Sequence, residues 1–137
     1  MSEPTKKNDI KSFKWASFGK TDVGKSRKLN EDSMLVRPEV GMWAVADGMG
    51  GHEAGDVASQ MVVNTLNEIQ LGSSLEKYIN DIEDALVGVN KKLIEIANQG
   101  EKRTTVGSTV VVMLAYEKYC AFLWAGDSRL YRMRDSK

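Results

Sequence analysis

The sequence predicts an α/β protein of the α+β type, with antiparallel β-strands and paired helices in separate layers. Three strand-like segments come first, two helical segments follow, and three further strand-like segments complete the chain. Grouped strands and helices favour antiparallel sheets, whereas alternating βαβ units would favour a parallel sheet. With 137 residues, 42% of them apolar and 28% charged, the chain has the size and composition of one globular domain with a hydrophobic core.

The N-terminal part predicts a tail followed by a β-hairpin. Residues 1–12 are polar and rich in lysine, which is typical of a flexible tail. Strands are predicted by the aromatic, alternating segment 13–21, by SMLVRP, which ends at Pro38, and by the apolar segment GMWAVADG. A short turn separates the last two, so we expect a hairpin whose acidic ends converge.

Two helices are predicted by apolar residues that recur at every third or fourth position. Residues 55–71 show this spacing, and Asp56 stands near the start, where a carboxylate can accept hydrogen bonds from free backbone amides. Residues 73–100 repeat the pattern, with serines before the helix and Gly100 at its end. Because Gly72 and the two serines form a short connection, we expect an antiparallel helix pair.

The remaining segments have the composition of strands. Residues 108–116 are β-branched and almost continuously apolar, which predicts a strand buried on both faces. Residues 119–126 and 127–135 are predicted to follow as two further strands. The only cysteine, Cys120, lies within the apolar run CAFLWAG, so we expect a buried, unreactive thiol rather than a nucleophile.

Charge and hydropathy argue against several classes of protein. The 19 Lys and Arg residues balance 19 Asp and Glu residues, so no net charge attracts nucleic acid, and any affinity for phosphate must be local. No apolar run has the length of a membrane span, and the N-terminal residues contain no hydrophobic signal segment. We therefore expect a cytoplasmic protein that has no membrane span and does not bind nucleic acid.

A phosphate-binding motif of nucleotide triphosphatases occurs near the N-terminus. Gly19, Gly24, Lys25 and Ser26 spell G-x-x-x-x-G-K-S, a motif whose backbone amides cradle phosphates at the start of a helix. After Ser26 the sequence has one isolated leucine, a polar stretch and a β-branched run, without the periodicity of a helix. This context leaves a nucleotide triphosphatase only as a remote alternative.

Acidic residues at the ends of the predicted hairpin form a second candidate site. Glu31 and Asp32 precede one strand, and Asp47 ends the paired strand, followed by Gly48. Carboxylate and backbone carbonyl oxygens are the ligands that Mg²⁺ and Mn²⁺ prefer in proteins. A divalent cation bound between the two strand ends would explain why acidic residues gather there.

Two further side chains suit phosphate chemistry. Arg27 carries a planar guanidinium group that fits two oxygens of a phosphate. His52, the only histidine, offers a side chain of the type that donates protons near neutral pH. Each feature alone is common in surface loops, but their joint spacing favours a site for a metal ion and a phosphate ester.

Four stretches in order resemble the motifs of the bacterial PP2C (PPM) metal-dependent protein serine/threonine phosphatases. They are RKLNEDS, VADGMGGHEAGDVAS, TTVGSTVVVML and WAGDSRLYRM. The resemblance extends from about residue 16 to about residue 134. It implies a sandwich of two antiparallel sheets flanked by antiparallel helix pairs, with a two-metal centre for Mn²⁺ or Mg²⁺ at one end.

The resemblance also implies metal-binding roles for individual residues. Asp47 would bridge both metal ions, and Glu31 and the Gly48 carbonyl would complete the protein ligands of one of them. Asp32 would orient a water molecule from the outer shell. Asp127, in the GDSR stretch, would bind an additional and weaker third ion.

The same resemblance implies the substrate and its contacts. Arg27 would bind the substrate phosphate, and His52 would act as general acid for the leaving alkoxide. The expected substrate is a protein carrying phosphoserine or phosphothreonine, the product of a Ser/Thr kinase. A bound metal would activate a water molecule directly, so no serine or cysteine nucleophile is needed.

The chain departs from this family in length. Two later aspartates that hold the other metal have no counterpart here, so residues 13–137 are expected to form the N-terminal portion of a phosphatase domain. We expect little turnover from this chain alone, and self-association through exposed strand edges. A non-catalytic module that binds a phosphoprotein or another partner on the same scaffold is the main alternative.

Overall fold

The computed structural model describes residues 13–51, 54–100 and 104–137, which form one antiparallel sheet and two helices. This confirms the predicted mixed α/β class. The elements are β1 (Asp32–Arg37), β2 (Met42–Gly50), α1 (Ala54–Asn67), α2 (Leu75–Ala97), β3 (Val106–Ser108), β4 (Val110–Tyr116) and β5 (Tyr119–Ala125). The strand order is β1-β2-β4-β5, and β3 pairs with the end of β2. The predicted tail, residues 1–12, lies outside the described residues.

The predicted hairpin is confirmed as the pair β1 and β2. Pro38 opens a short 3₁₀ turn, Pro38–Val40, that ends β1 where the sequence places a breaker. Gly41 completes the turn at φ 63°, and a Cβ there would overlap the Ala115 carbonyl. Antiparallel pairing then runs from Arg37 opposite Met42 to Asp32 opposite Asp47. The turn therefore brings the strand ends that carry Asp32 and Asp47 together at one end of the sheet. We call this end of the sheet, with the neighbouring Glu31, the acidic edge.

The helices cover one face of this sheet and bury the core against it. Leu35 of β1 and alternate residues of β2 and β4 are buried on that face, and the hydroxyls of Ser33 and Ser59 lie 3.1 Å apart between β1 and α1. The largest fully buried side chains come from both layers: Met42, Leu66, Tyr78, Ile82, Val112 and Leu114. The 3.6-residue spacing predicts both helices correctly, because it marks the apolar stripe that packs on the sheet.

Polar contacts fix where the helices sit on the sheet. The Arg37 guanidinium donates to the backbone carbonyls of Leu66 and Ile69 at 3.2 and 2.8 Å, which satisfies free acceptors at the end of α1. The Tyr78 hydroxyl donates to the Val40 carbonyl at 2.7 Å. Burial raises the pKa of Tyr78 above its ordinary value, so this hydroxyl keeps its proton. At the start of α2, the Ser74 hydroxyl accepts from a backbone amide as an N-cap.

Two of the predicted strands, at residues 13–21 and 127–135, are wrong. Neither segment enters a ladder within the described part of the chain; both lie on the sheet face opposite the helices. Trp15 contacts Trp43 with ring centroids 5.4 Å apart, and Leu130 and Tyr131 line an apolar cavity of about 320 Å³ over the same face. A strand requires backbone hydrogen bonds to a neighbouring strand, and in the described residues these two segments form no such ladder.

The prediction of a buried cysteine is also wrong. Cys120 is exposed, because β5 forms an edge of the sheet within the described residues. Residues 119–125 do form the predicted strand, and β4 beside them is buried on nearly its whole length, as expected. The apolar composition of β5 therefore marks a strand, but it does not report how deeply the strand is buried.

Neither α1 nor α2, the helices within the described ranges, combines the length and the apolar character that a membrane span requires.

Gly88→Ala is expected to stabilise the protein. Gly88 lies inside α2, and a Cβ at this position would meet no atom within 4 Å. Because glycine loses more backbone freedom than alanine in a helix, the free energy of unfolding should rise by about 0.5–1 kcal/mol. Urea denaturation measures this change. Gly72→Ala serves as the opposite control, since its Cβ would lie 2.7 Å from Tyr78 Cβ and should destabilise the fold. A loss of stability in Gly88→Ala would contradict the expected open space.

Candidate metal and phosphate site

The hairpin brings two predicted acidic residues directly opposite each other. Asp32 at the start of β1 pairs in register with Asp47 near the end of β2. The ladder continues beyond this pair, because the Gly48 amide donates to the Glu31 carbonyl at 3.0 Å. Like charges opposite each other on one sheet face destabilise the pairing of strands. Two opposed carboxylates therefore favour the binding of a cation at this position.

Close packing of two glycines positions Glu31. Gly48 on β2 approaches Gly55 in the first turn of α1 so tightly that a Cβ on Gly48 would overlap the Gly55 carbonyl. The carboxylate of Glu31 lies against Gly55, in space that a side chain at residue 55 would fill. The start of α1, the end of β2 and the segment before β1 therefore meet at the acidic edge. The contribution of Gly55 was missed from the sequence, where it appears only as a glycine near a helix start.

The electrostatics of the edge centre on Asp47. Loss of hydration raises the pKa of its carboxyl group above the ordinary value, and the negative charge and hydrogen bond of Asp32 raise it further, followed by the charges of Asp127 and Glu31. The predicted residues Glu31, Asp32 and Asp127 are therefore all close enough for their charges to act on Asp47. Oxygen donors of this kind suit a hard divalent cation such as Mg²⁺ or Mn²⁺.

The side chains do not by themselves form a closed ligand cage. In the described ranges, no three His, Cys, Asp or Glu side chains converge closely enough to hold a metal ion. The donor types and the excess of negative charge fit divalent cations, but further ligands such as backbone carbonyls and water are required to complete a coordination shell.

Arg27 lies at the same edge as the acidic cluster. Its guanidinium is 3.8 Å from the Glu31 carboxylate, and its side chain is 77% exposed. An exposed ion pair of this length is weak, so the guanidinium can turn to another anion. Arg27, Asp32, Asp47 and Gly48 all line one cleft of about 510 Å³. The structure therefore places the predicted phosphate-binding residue beside the predicted metal ligands.

Asn30 stabilises the segment that carries Glu31 and Asp32. Its side-chain oxygen accepts from the Asp32 amide at 3.0 Å, and its side-chain nitrogen donates to the Thr21 hydroxyl at 2.7 Å. These bonds hold the backbone just before β1 against the preceding loop. The sequence shows Asn30 next to the acidic pair, but not that its partner lies nine residues earlier.

The contacts of Thr109 and Ser128 with this site were not predicted from the sequence. The Thr109 hydroxyl accepts from the Asp47 amide at 3.1 Å and lies 2.7 Å from the Ser128 hydroxyl. Ser128 follows Asp127, so the loop after β5 is tied to the end of β2. A long-range contact of this kind leaves no periodic signal in a sequence.

The remaining predictions for this region have different outcomes. After Ser26 the chain bends and enters β1 at Asp32, so the G-x-x-x-x-G-K-S stretch does not open a helix. This supports the argument against a nucleotide triphosphatase. His52 lies outside the described residues, and its predicted role as general acid stays a prediction.

Comparison with known proteins assigns this chain to a protein family. Residues 24–137 match the family described as Protein phosphatase 2C. The chain belongs to this family, as the four sequence motifs predict.

Individual relatives agree with the family match. The serine/threonine phosphatase stp of Listeria innocua serovar 6a is 32% identical over 123 residues, which cover 85% of this chain and 49% of the relative. The solved structure of PppA, a key regulatory component of T6SS in Pseudomonas aeruginosa, has 46% identity and a TM-score of 0.78, covering 83% of this chain and 49% of that one.

A second solved structure contains metal. It is the catalytic domain of the serine/threonine phosphatase PstP in complex with 2 manganese ions, with 31% identity, a TM-score of 0.72 and coverage of 86% of this chain and 50% of that one. This chain spans about half the length of the first curated relatives that it matches, 49% for stp and 48% for the phosphatase PhpP of Streptococcus pneumoniae.

Proposed function

We propose that this chain forms the N-terminal portion of a metal-dependent phosphatase that hydrolyses phosphoserine and phosphothreonine in proteins. The single observation that carries the proposal is the pairing of Asp32 with Asp47 at one cleft that Arg27 also lines. Opposed carboxylates favour a cation, and an adjacent guanidinium favours a phosphate. The relatives named as serine/threonine phosphatases support this assignment.

Asp47, Glu31 and the Gly48 carbonyl are proposed to hold the metal ions, and Asp127 to hold a further, weaker one. When bound, the two divalent cations, Mn²⁺ or Mg²⁺, would supply an activated water nucleophile and neutralise negative charge on the phosphate. The carboxylates of Glu31 and Asp47 would set the positions of the cations at the acidic edge. The relative with 2 manganese ions supports the choice of metal.

Three residues are proposed to act on the substrate and the nucleophilic water. Arg27 binds two phosphate oxygens and orients the ester for in-line attack, since its exposed guanidinium can turn towards the cleft. Asp32 orients the attacking water through its carboxylate. His52 donates a proton to the leaving serine or threonine oxygen, because an unprotonated alkoxide is a poor leaving group.

Hydrolysis by the whole catalytic domain that contains this sequence tests the proposal. We expect Mn²⁺ to stimulate release of inorganic phosphate from a phosphothreonine peptide, and EDTA to abolish it. A phosphopeptide that binds but is not hydrolysed would instead favour the non-catalytic module. Tight ATP binding that is lost in Lys25→Ala would revive the nucleotide triphosphatase.

Calorimetric titration with Mn²⁺ tests the share of the site carried by these residues. The 137-residue chain should bind Mn²⁺ more weakly than a version extended at its C-terminus, because the family resemblance implies two further metal-binding aspartates in such an extension. Equal affinity of the two proteins would contradict the proposal that later residues complete the site.

The partner, the location and the association of the chain form the finer part of the proposal. We infer a substrate phosphorylated by a Ser/Thr kinase, and a cytoplasmic location as the sequence predicts. Self-association is supported by β5, an edge strand within the described residues that exposes Tyr119, Phe122 and Trp124. A concentration-independent monomer in sedimentation velocity experiments would contradict self-association.

A further inference from the structure

We propose that Thr109 is a positioning residue that couples the backbone of Asp47 to the Asp127–Ser128 loop. The inference rests on the proposed function, because positioning matters only if Asp47 and Asp127 bind metal. Thr109 lies between β3 and β4, opposite Asp47, at the place where the ladder along β2 passes from one strand to the other.

At Thr109 the side-chain hydroxyl takes the place of the backbone carbonyl as a hydrogen-bond acceptor. Its amide donates to the Asp47 carbonyl at 2.8 Å, as in an ordinary antiparallel pair. In return, the Asp47 amide donates to the Thr109 hydroxyl at 3.1 Å instead of to the Thr109 carbonyl. That carbonyl accepts from the Ser108 hydroxyl at 2.8 Å. Thr109 therefore bonds both the amide and the carbonyl of Asp47.

The same hydroxyl contacts the residue that follows Asp127, another predicted metal ligand. Thr109 Oγ1 lies 2.7 Å from Ser128 Oγ, and Ser128 follows Asp127 directly. Since the oxygen already accepts from Asp47, its hydrogen is available for Ser128. Gly126, at φ 97°, leaves room for this approach, because a Cβ there would lie 2.7 Å from the Thr109 methyl group.

These contacts give Thr109 a role that no apolar residue of the same shape can fill. Valine would keep the volume but leave the Asp47 amide without its acceptor and Ser128 without its partner. Serine would keep both bonds and lose only the methyl group. Ser128→Ala would break the link to the loop while leaving the Asp47 amide bonded.

The test compares these variants of the 137-residue chain by two measurements. In Thr109→Val we expect the Asp47 amide to exchange with solvent about fivefold to tenfold faster by NMR, and Mn²⁺ affinity to fall by about 10-fold to 100-fold in calorimetry, the usual cost of losing an outer-shell partner. Thr109→Ser should restore both values to near those of the unchanged chain. Ser128→Ala should keep the Asp47 amide protected.

The two readouts separate this inference from the proposed function. An Asp47 amide equally protected in Thr109→Val, or Mn²⁺ affinity unchanged in that variant, overturns the positioning role. Undiminished Mn²⁺ binding in Asp47→Asn instead overturns the metal site, whatever Thr109 does to the amide. If Thr109→Val does not fold, Ser128→Ala decides the coupling: Mn²⁺ affinity should fall in that variant too, and an affinity identical to that of the unchanged chain overturns the coupling.

Discussion

Asp47→Asn is expected to abolish the response to Mn²⁺. Replacing the proposed bridging ligand should lower hydrolysis by the whole domain more than about 100-fold, because loss of even an outer-shell partner costs about 10-fold to 100-fold. Asparagine keeps the size of the side chain and removes its charge. The assay is release of phosphate from a phosphothreonine peptide across a range of Mn²⁺ concentrations.

The same variant should have the opposite effect on the metal-free chain. Asp47 faces Asp32 across the ladder, and Asp127 and Glu31 add to the negative charge around it. Removing one of these charges relieves repulsion, so the melting temperature without metal should rise. With Mn²⁺ at about 100 times its dissociation constant, the unchanged chain should gain about 2.7 kcal/mol of stability and the variant none.

Asp84→Asn is the matched control for the change in charge. Asp84 is exposed on α2 and does not line the acidic cleft, so this change should alter neither Mn²⁺ binding nor hydrolysis. If Asp47→Asn retained full activity, or if the two variants melted alike with and without Mn²⁺, the assignment of Asp47 as a metal ligand would be wrong.

Gly48→Ala is expected to have the largest effect on stability. The added methyl group would overlap the Gly55 carbonyl and lie 3.0 Å from the Glu31 carbonyl, so it would meet backbone on both sides. Backbone cannot turn away as a flexible side chain can. The cost should therefore reach or exceed about 3 kcal/mol, the upper end for overpacking a buried position. The midpoint of urea denaturation measures it.

Gly48→Ala should also disturb the proposed metal site. Relief of the overlap requires α1 to move away from β2, and the Glu31 carboxylate that lies against Gly55 would move with it. We therefore expect Mn²⁺ binding to be lost in calorimetry even where the variant remains folded. Gly51→Ala is the neighbouring control, since a Cβ there would meet nothing within 4 Å. Equal stability of the two variants would show that β2 and α1 are not in close contact.

The hairpin and its acidic edge could be predicted because their signals are local. Pro38 ends β1, Gly41 turns the chain, and apolar residues mark both strands. Antiparallel pairing then makes the two ends meet, so the proximity of Asp32 and Asp47 follows from the topology of a hairpin. The spacing of apolar residues located both helices for the same reason, since each helix buries one stripe.

Strand pairing and burial could not be predicted from composition. Residues 13–21 and 127–135 have strand-like sequences, yet they lie unpaired over the open face of the sheet. Cys120 sits in an apolar run and is exposed, because β5 is an edge within the described residues. Composition reports how well a residue fits a pleated strand, whereas pairing and burial depend on which other segments are present.

The sequence by itself determined the family, the hairpin, the helices and the identity of the acidic residues, because each is encoded in short motifs or regular spacing. Only the tertiary structure decided how those residues are held. The contact of Gly48 with Gly55 and the bonds of Thr109 to Asp47 and Ser128 join segments far apart in the chain. Such contacts depend on the packing of whole elements, and no local pattern specifies them.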